Sequence, residues 1–208
     1  MPAIFAIALG LSLFLPALNA DPPKKAVVFL GDSLTAGLGV QPAEAFPALI
    51  GEKIRGAGLP FEVQNAGLSG DTSAGGLRRL DWVLQRPINI LVVELGGNDG
   101  LRGLDLKAMK SNLQAIIDKT RAKNPQAKIV LAGMQVPPNM GAEYANGFAR
   151  VYSELAQENN ATLIPFLLEG VGGNRELNQR DLIHPSAAGH RVIADLVWKT
   201  LEPLLRGS

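Results

Sequence analysis

The chain has 208 residues with 20 Lys and Arg against 19 Asp and Glu, a net charge of +1, and a hydrophobic fraction of 47% that suits a globular protein. No basic run stands out, which excludes a clustered phosphate-binding surface and argues against nucleic acid as a partner. The absence of cysteine removes disulfides, thiolate catalysis and Cys-based metal sites, and His184 and His190 alone are too few for an ordinary zinc site, so no metal or cofactor is expected.

Residues 4–20 are almost wholly apolar and give way to Asp21-Pro22-Pro23-Lys24-Lys25. This run is shorter than the ~20 residues that cross a bilayer, so it reads as the apolar region of a signal peptide cleaved after Ala20. Residues 21–208 would then form one domain, periplasmic or secreted, with no stable membrane insertion. An uncleaved N-terminal anchor is the alternative.

Beyond Lys25 short apolar runs alternate with helical patterns. Residues 26–30, 61–65, 90–95, 128–132 and 162–165 read as five strands, mostly continuous in Val, Ile and Leu as strands buried on both faces should be. Met109, Leu113, Ile116, Ile117 and Thr120 recur at helical spacing, and Asn124-Pro125 ends that helix. Phe148, Val151, Tyr152 and Leu155 share a face of the next helix; Val192, Ile193, Leu196, Val197, Leu201 and Leu204 share one of the last. Such alternation predicts a three-layer α/β domain built on a five-stranded parallel sheet. Ligands of such sheets bind beyond the carboxyl ends of the strands. Gly31-Asp32-Ser33, Gly67-Leu68-Ser69-Gly70-Asp71 and Gly96-Gly97-Asn98-Asp99 follow the first three strands and therefore meet at that edge.

A serine becomes a useful nucleophile when a histidine accepts its proton and a carboxylate fixes the histidine tautomer. Asp181-Leu182-Ile183-His184 can supply the last two groups, because residues three apart in a turn can meet. Pro185 and Ser186 suit a helix start, which puts Asp181 and His184 in the loop before the last helix. His190 falls inside that helix and reads as a packing residue. Charge that develops on an attacked carbonyl oxygen needs preorganised donors. The backbone N–H groups of Ser33 and Gly70 and the side chain of Asn98 are candidates, although Asn98 taken alone reads more readily as a helix cap than as a catalytic group. There is no P-loop lysine, no G-x-G-x-x-G opening a helix and no G-x-S-x-G.

These residues resemble the SGNH, or GDSL, hydrolase family. Gly31-Asp32-Ser33-Leu34 is similar to the family's first block with its nucleophilic serine, Gly70 to the second-block glycine, Asn98 to the third-block asparagine, and Asp181 with His184 to the fifth block. Val93-Glu94-Leu95-Gly96-Gly97-Asn98-Asp99-Gly100-Leu101-Arg102-Gly103 and Pro137-Pro138-Asn139-Met140-Gly141 look like the bacterial arylesterase, acyl-CoA thioesterase and lysophospholipase branch. The resemblance implies a flavodoxin-like sheet in the order 2-1-3-4-5 and acyl transfer to Ser33 with Asp181 and His184 as partners. It also implies an oxyanion hole of Ser33, Gly70 and Asn98.

The expected substrate is a small-molecule acyl ester or thioester, including aryl esters and lysophospholipids. Leu101 and Leu104, with Pro137, Pro138 and Met140, border the same edge and are candidates for an acyl groove, against a reading as plain loop packing. Two other functions stay open: a carbohydrate deacetylase using the same residues, and a non-catalytic ligand-binding module on the same fold.

Overall fold

The computed structural model describes residues 24–207. The apolar segment and its cleavage after Ala20 lie outside those residues.

Five strands, β1 (Lys25–Gly31), β2 (Phe61–Gly67), β3 (Ile90–Glu94), β4 (Lys128–Ala132) and β5 (Thr162–Ile164), form one parallel sheet in the order β2-β1-β3-β4-β5. This is the order that the sequence resemblance implies. The central β3 is buried at every position, as its unbroken Ile-Leu-Val-Val-Glu run requires of a strand covered on both faces. The first two strands extend one or two residues further than their apolar runs suggest, through Gly31 and Gly67, whereas Leu95 lies beyond β3.

Among the described residues seven α-helices flank the sheet: α1 (Ser33–Ala36), α2 (Phe46–Gly56), α3 (Ser73–Val83), α4 (Gly97–Leu101), α5 (Leu106–Lys123), α6 (Ala142–Glu158) and α7 (Ala187–Arg206). α2 packs on α7, while α3 packs on α5 and α5 on α6, giving helical layers about the sheet. Met109, Leu113, Ile116, Ile117 and Thr120 are the buried face of α5, and Phe148, Val151, Tyr152 and Leu155 are buried on α6, as their spacing predicts. The buried face of α7 differs from expectation. It follows the i, i+4 row Gly189, Ile193, Val197, Leu201 and Leu205, joined by His190 and Ala194. Val192 is on the exposed side, and Leu196 and Leu204 are only partly buried, because the contact row winds past them.

Caps fix where the helices nearest the strand ends begin. Thr72 accepts from the Gly75 N–H at the start of α3, and Ser186 accepts from the Gly189 N–H at the start of α7. Gly31, Gly67 and Glu94 stand side by side in register, so the chain leaves β1, β2 and β3 at one level. A Cβ on Gly31 would sit 2.0 Å from the Thr35 hydroxyl and 2.6 Å from Glu94 Oε2, so only glycine permits this close departure of β1 into α1.

Candidate active site

Ser33 is the first residue of α1, immediately after β1, and is nearly buried. Asp32 caps this short helix by accepting the Leu34 N–H at 3.0 Å. The serine is thus held at the carboxyl edge of the sheet, and its Oγ lies 3.0 Å from Nε2 of His184.

His184 and Asp181 come from the loop ahead of α7. Asp181 Oδ1 accepts the N–H groups of Ile183 and His184, each at 3.0 Å, and Oδ2 accepts from His184 Nδ1 at 2.6 Å. The imidazole hydrogen bond, followed by the two backbone N–H bonds, holds the Asp181 carboxyl down to about 2. An ionised carboxylate at Nδ1 places the neutral ring's proton there and leaves Nε2 to accept from Ser33. The turn puts Leu182 at φ 59°, a left-handed conformation that β-turn chemistry normally assigns to glycine or asparagine. Gln179 anchors the loop: its N–H donates to the His184 carbonyl at 2.8 Å, and its side-chain amide donates to the carbonyls of Leu38 and Pro185. The loop is thereby tied to the segment that follows α1. Sequence reasoning missed Gln179, and no local pattern marks it.

Asn98 lies in α4, after β3. It does not cap that helix, because Gly96 holds the cap position at φ 108°. Its Nδ2 instead donates to Asp32 Oδ2 and to the Asp71 carbonyl, both at 2.9 Å, so the amide bridges the loops after β1 and β2. Gly70 sits beside Asp71 in the second loop, exposed, at φ 83°. The Arg79 guanidinium ties this loop to β1 by pairing with the Asp71 carboxylate at 2.5 Å and donating to the Gly31 carbonyl at 2.9 Å. Arg102 donates to the Gly70 carbonyl at 3.1 Å from the other side. Asp99 accepts both the N–H and the hydroxyl of Ser73, at 2.8 and 2.6 Å, joining α4 to α3. Among the described residues, the Ser33 and Gly70 amides donate to no protein acceptor.

Leu101, the last residue of α4, and Leu104, between α4 and α5, are exposed, at 47% and 41%. Met140 packs partly buried against the core at the end of a 3₁₀ turn spanning Pro138–Met140. A Cβ on Gly103 would meet the Met140 methyl at 3.6 Å, which brings the two apolar segments together. An open pocket of about 580 Å³ lies beside them, lined by Leu106, Met140, Tyr144 and Arg150 among others. The side chain of Pro138 lies outside what the structure describes. Among the described residues, no group of three or more His, Asp or Glu is arranged to hold a metal ion.

A serine hydroxyl facing an imidazole, with amide donors at the carboxyl edge of a parallel α/β sheet, defines a serine hydrolase of the flavodoxin-like type. The sequence profile of the GDSL-like Lipase/Acylhydrolase family matches residues 29–192, and the chain belongs to this family. It is 41% identical over 202 residues to Esterase TesA of Pseudomonas aeruginosa, covering 96% of this chain and 99% of the relative. It is 38% identical over 180 residues to Thioesterase 1/protease 1/lysophospholipase L1 of Escherichia coli K12, covering 86% of this chain and 84% of the relative. Psychrotrophic esterase EstA from Pseudoalteromonas sp., in a structure inhibited by monoethylphosphonate, superposes with a TM-score of 0.83 at 33% identity, covering 88% of this chain and all of its own. The protein is therefore an SGNH-type hydrolase with esterase character.

Proposed function

We propose that Ser33 is the acyl-accepting nucleophile, with His184 as its general base and Asp181 orienting the imidazole. The observation that carries this reading is the continuous line from Ser33 Oγ to His184 Nε2 at 3.0 Å and from His184 Nδ1 to Asp181 at 2.6 Å. As Ser33 Oγ attacks the acyl carbon, its proton passes to His184 Nε2, and Asp181 steadies the imidazolium that results. The carbonyl electrons collect on oxygen, which the N–H groups of Ser33 and Gly70 and the Asn98 amide would receive. Collapse expels the alcohol or thiol, which takes the proton from His184. Water then attacks the acyl-enzyme, gives its proton to His184, and releases the acid while Ser33 regains its own.

The substrates we infer are carboxylic esters and thioesters, aryl esters and lysophospholipids among them, held by an acyl groove that Leu101, Leu104, Pro138 and Met140 border. The names of the relatives, esterase and thioesterase/lysophospholipase, support that range. We also propose export through the apolar segment, with cleavage after Ala20. No helix among the described residues is long and apolar enough to cross a membrane. Purified protein assayed on aryl esters, acyl thioesters, lysophospholipids and acetylated sugars tests the substrate class. Turnover of the first three is expected. Release of acetate from sugars without turnover of longer acyl chains would support the deacetylase instead.

A further inference from the structure

Glu94, the last residue of β3, is fully buried beside the candidate catalytic loop, yet the reaction outlined above gives it no role. Its Oε2 accepts the Thr35 hydroxyl at 2.7 Å and the N–H groups of Asp32 and Thr35 at 3.2 Å each. Its Oε1 is equally buried and has no donor directed at it. An ionised carboxylate would leave that oxygen stranded, whereas a protonated one turns it from an unserved acceptor into a donor. The neighbouring carboxyl that could accept from it is that of Asp32, whose own N–H already donates to Glu94 Oε2. Asp32 is itself only 3% exposed, and its Oδ2 accepts from Asn98. Two adjacent buried carboxyl groups cannot both ionise cheaply, so the pair retains a proton.

We propose that Glu94 stays protonated in the working enzyme and donates to the Asp32 carboxylate, making it a positioning residue for the Asn98 amide. This rests on the reading of Asn98 as an oxyanion donor. Asn98 Nδ2 is engaged by both the Asp71 carbonyl and Asp32, so an acyl oxygen must share a donor with one of them, and of the two only Asp32 carries a charge that Glu94 can temper. A bare Asp32 carboxylate would hold that N–H strongly and repel the developing oxyanion. A carboxylate that also accepts from Glu94 still orients the amide but competes less for it. Burial, then the neighbouring Asp32 charge, pushes the Glu94 carboxyl well above the usual range, in keeping with a retained proton. The other titratable groups near the pair add little to favour ionisation of Glu94. His184 acts on Asp32, and Asp99 and Tyr152 lie across the same buried region.

Infrared spectroscopy of wild-type protein at pH 7 should show a protonated-carboxyl C=O stretch that disappears in Glu94→Gln. No such band, or one that survives in Glu94→Gln, overturns the proton assignment. Glu94→Gln, whose amide keeps one donor and one acceptor, should hold kcat within a few-fold of wild type. Glu94→Ala should lower kcat by at least tenfold with KM little changed, staying below the ~10² to 10³-fold loss of deleting an oxyanion donor. The Glu94→Ala loss should shrink to near nothing in an Asn98→Ala background, which a merely structural defect would not do. An equal loss in both backgrounds overturns the link to Asn98. An Asn98→Ala enzyme as fast as wild type would instead refute the oxyanion reading, independently of the infrared band.

Discussion

The Asp181 carboxylate takes three hydrogen bonds from its own turn and one exposed face from solvent, its side chain being 44% accessible. Its partnership with His184 is therefore one of orientation more than of buried charge, since solvent screens such pairs. Asp181→Asn should retain the fold but lose up to ~10⁴-fold in kcat, because an amide no longer favours the Nδ1–H tautomer. A rate near wild type would contradict the proposed role. Ser33→Ala should lower kcat by a factor on the order of 10⁶, and adding His184→Ala should cost little more, since groups that act as one unit do not lose rate independently. Multiplicative losses, measured by single-turnover kinetics, would show that they do not act together. The sequence displays Ser33 and Asn98 because each follows a strand end, and Asp181 and His184 because they stand three apart just ahead of a helix start. It does not display Gln179, Arg79 or Arg102, whose bonds run across loops far apart in the chain. Nor does it reveal that Asn98 is already doubly bonded, a property of three loops together.

At the scale of elements, α5 and α6 were legible because their apolar residues fall on one helical face. α3 was not. Gly75 and Gly76 interrupt its apolar pattern and lower its helix propensity. The structure supplies the reason they are there: a Cβ on Gly75 would lie 2.2 Å from Asp71 Oδ1, and one on Gly76 would lie 2.2 Å from Leu95 Cδ1. These glycines let α3 press the Gly70–Asp71 loop against the end of β3. The periodicity of α7 points to a face slightly rotated from the buried one, which contains His190. This residue is 1% exposed, accepts the Phe46 N–H at Nδ1 at 3.2 Å and stacks on the Phe46 ring. Burial lowers its pKa from 6.5 to about 4, with Glu44 opposing weakly. The unfolded chain then binds the extra proton between those values, so stability is full above pH ~6.5 and falls by about 3 kcal/mol as the pH drops toward 4. Urea denaturation at pH 7 and pH 4.5 measures the loss. His190→Asn, which can still accept from Phe46 but does not titrate, should abolish that part of it, and an unchanged pH dependence would refute the assignment.

For the whole molecule, the order of the sheet converts scattered motifs into one site. β1 and β3 are neighbours although β2 intervenes in the chain, and this brings Ser33 and Asn98 together while β2 delivers Gly70 alongside. The strands announced themselves by apolar runs, but their order came from family resemblance, since short buried runs carry no pairing information of their own. The approach of Met140 to Gly103, which lies between Leu101 and Leu104, bears on specificity. If Leu101, Leu104 and Met140 form an acyl groove, kcat/KM should rise by up to about fourfold per added methylene, from acetyl toward medium-chain esters, and then level off. Met140→Glu should flatten this rise while leaving acetyl-ester turnover nearly intact. A preference of the unmodified enzyme for acetyl over hexanoyl esters would rule the groove out. The central claim is that Ser33 is the nucleophile, and covalent capture tests it most directly. Treatment with an alkyl phosphonate ester that has a good leaving group, followed by intact-mass measurement and peptide mapping, should show a single phosphonyl group on Ser33 and parallel loss of activity, with no adduct in Ser33→Ala or in unfolded protein. Full inactivation without an adduct on Ser33, or an adduct on another serine such as Ser69, would contradict the account.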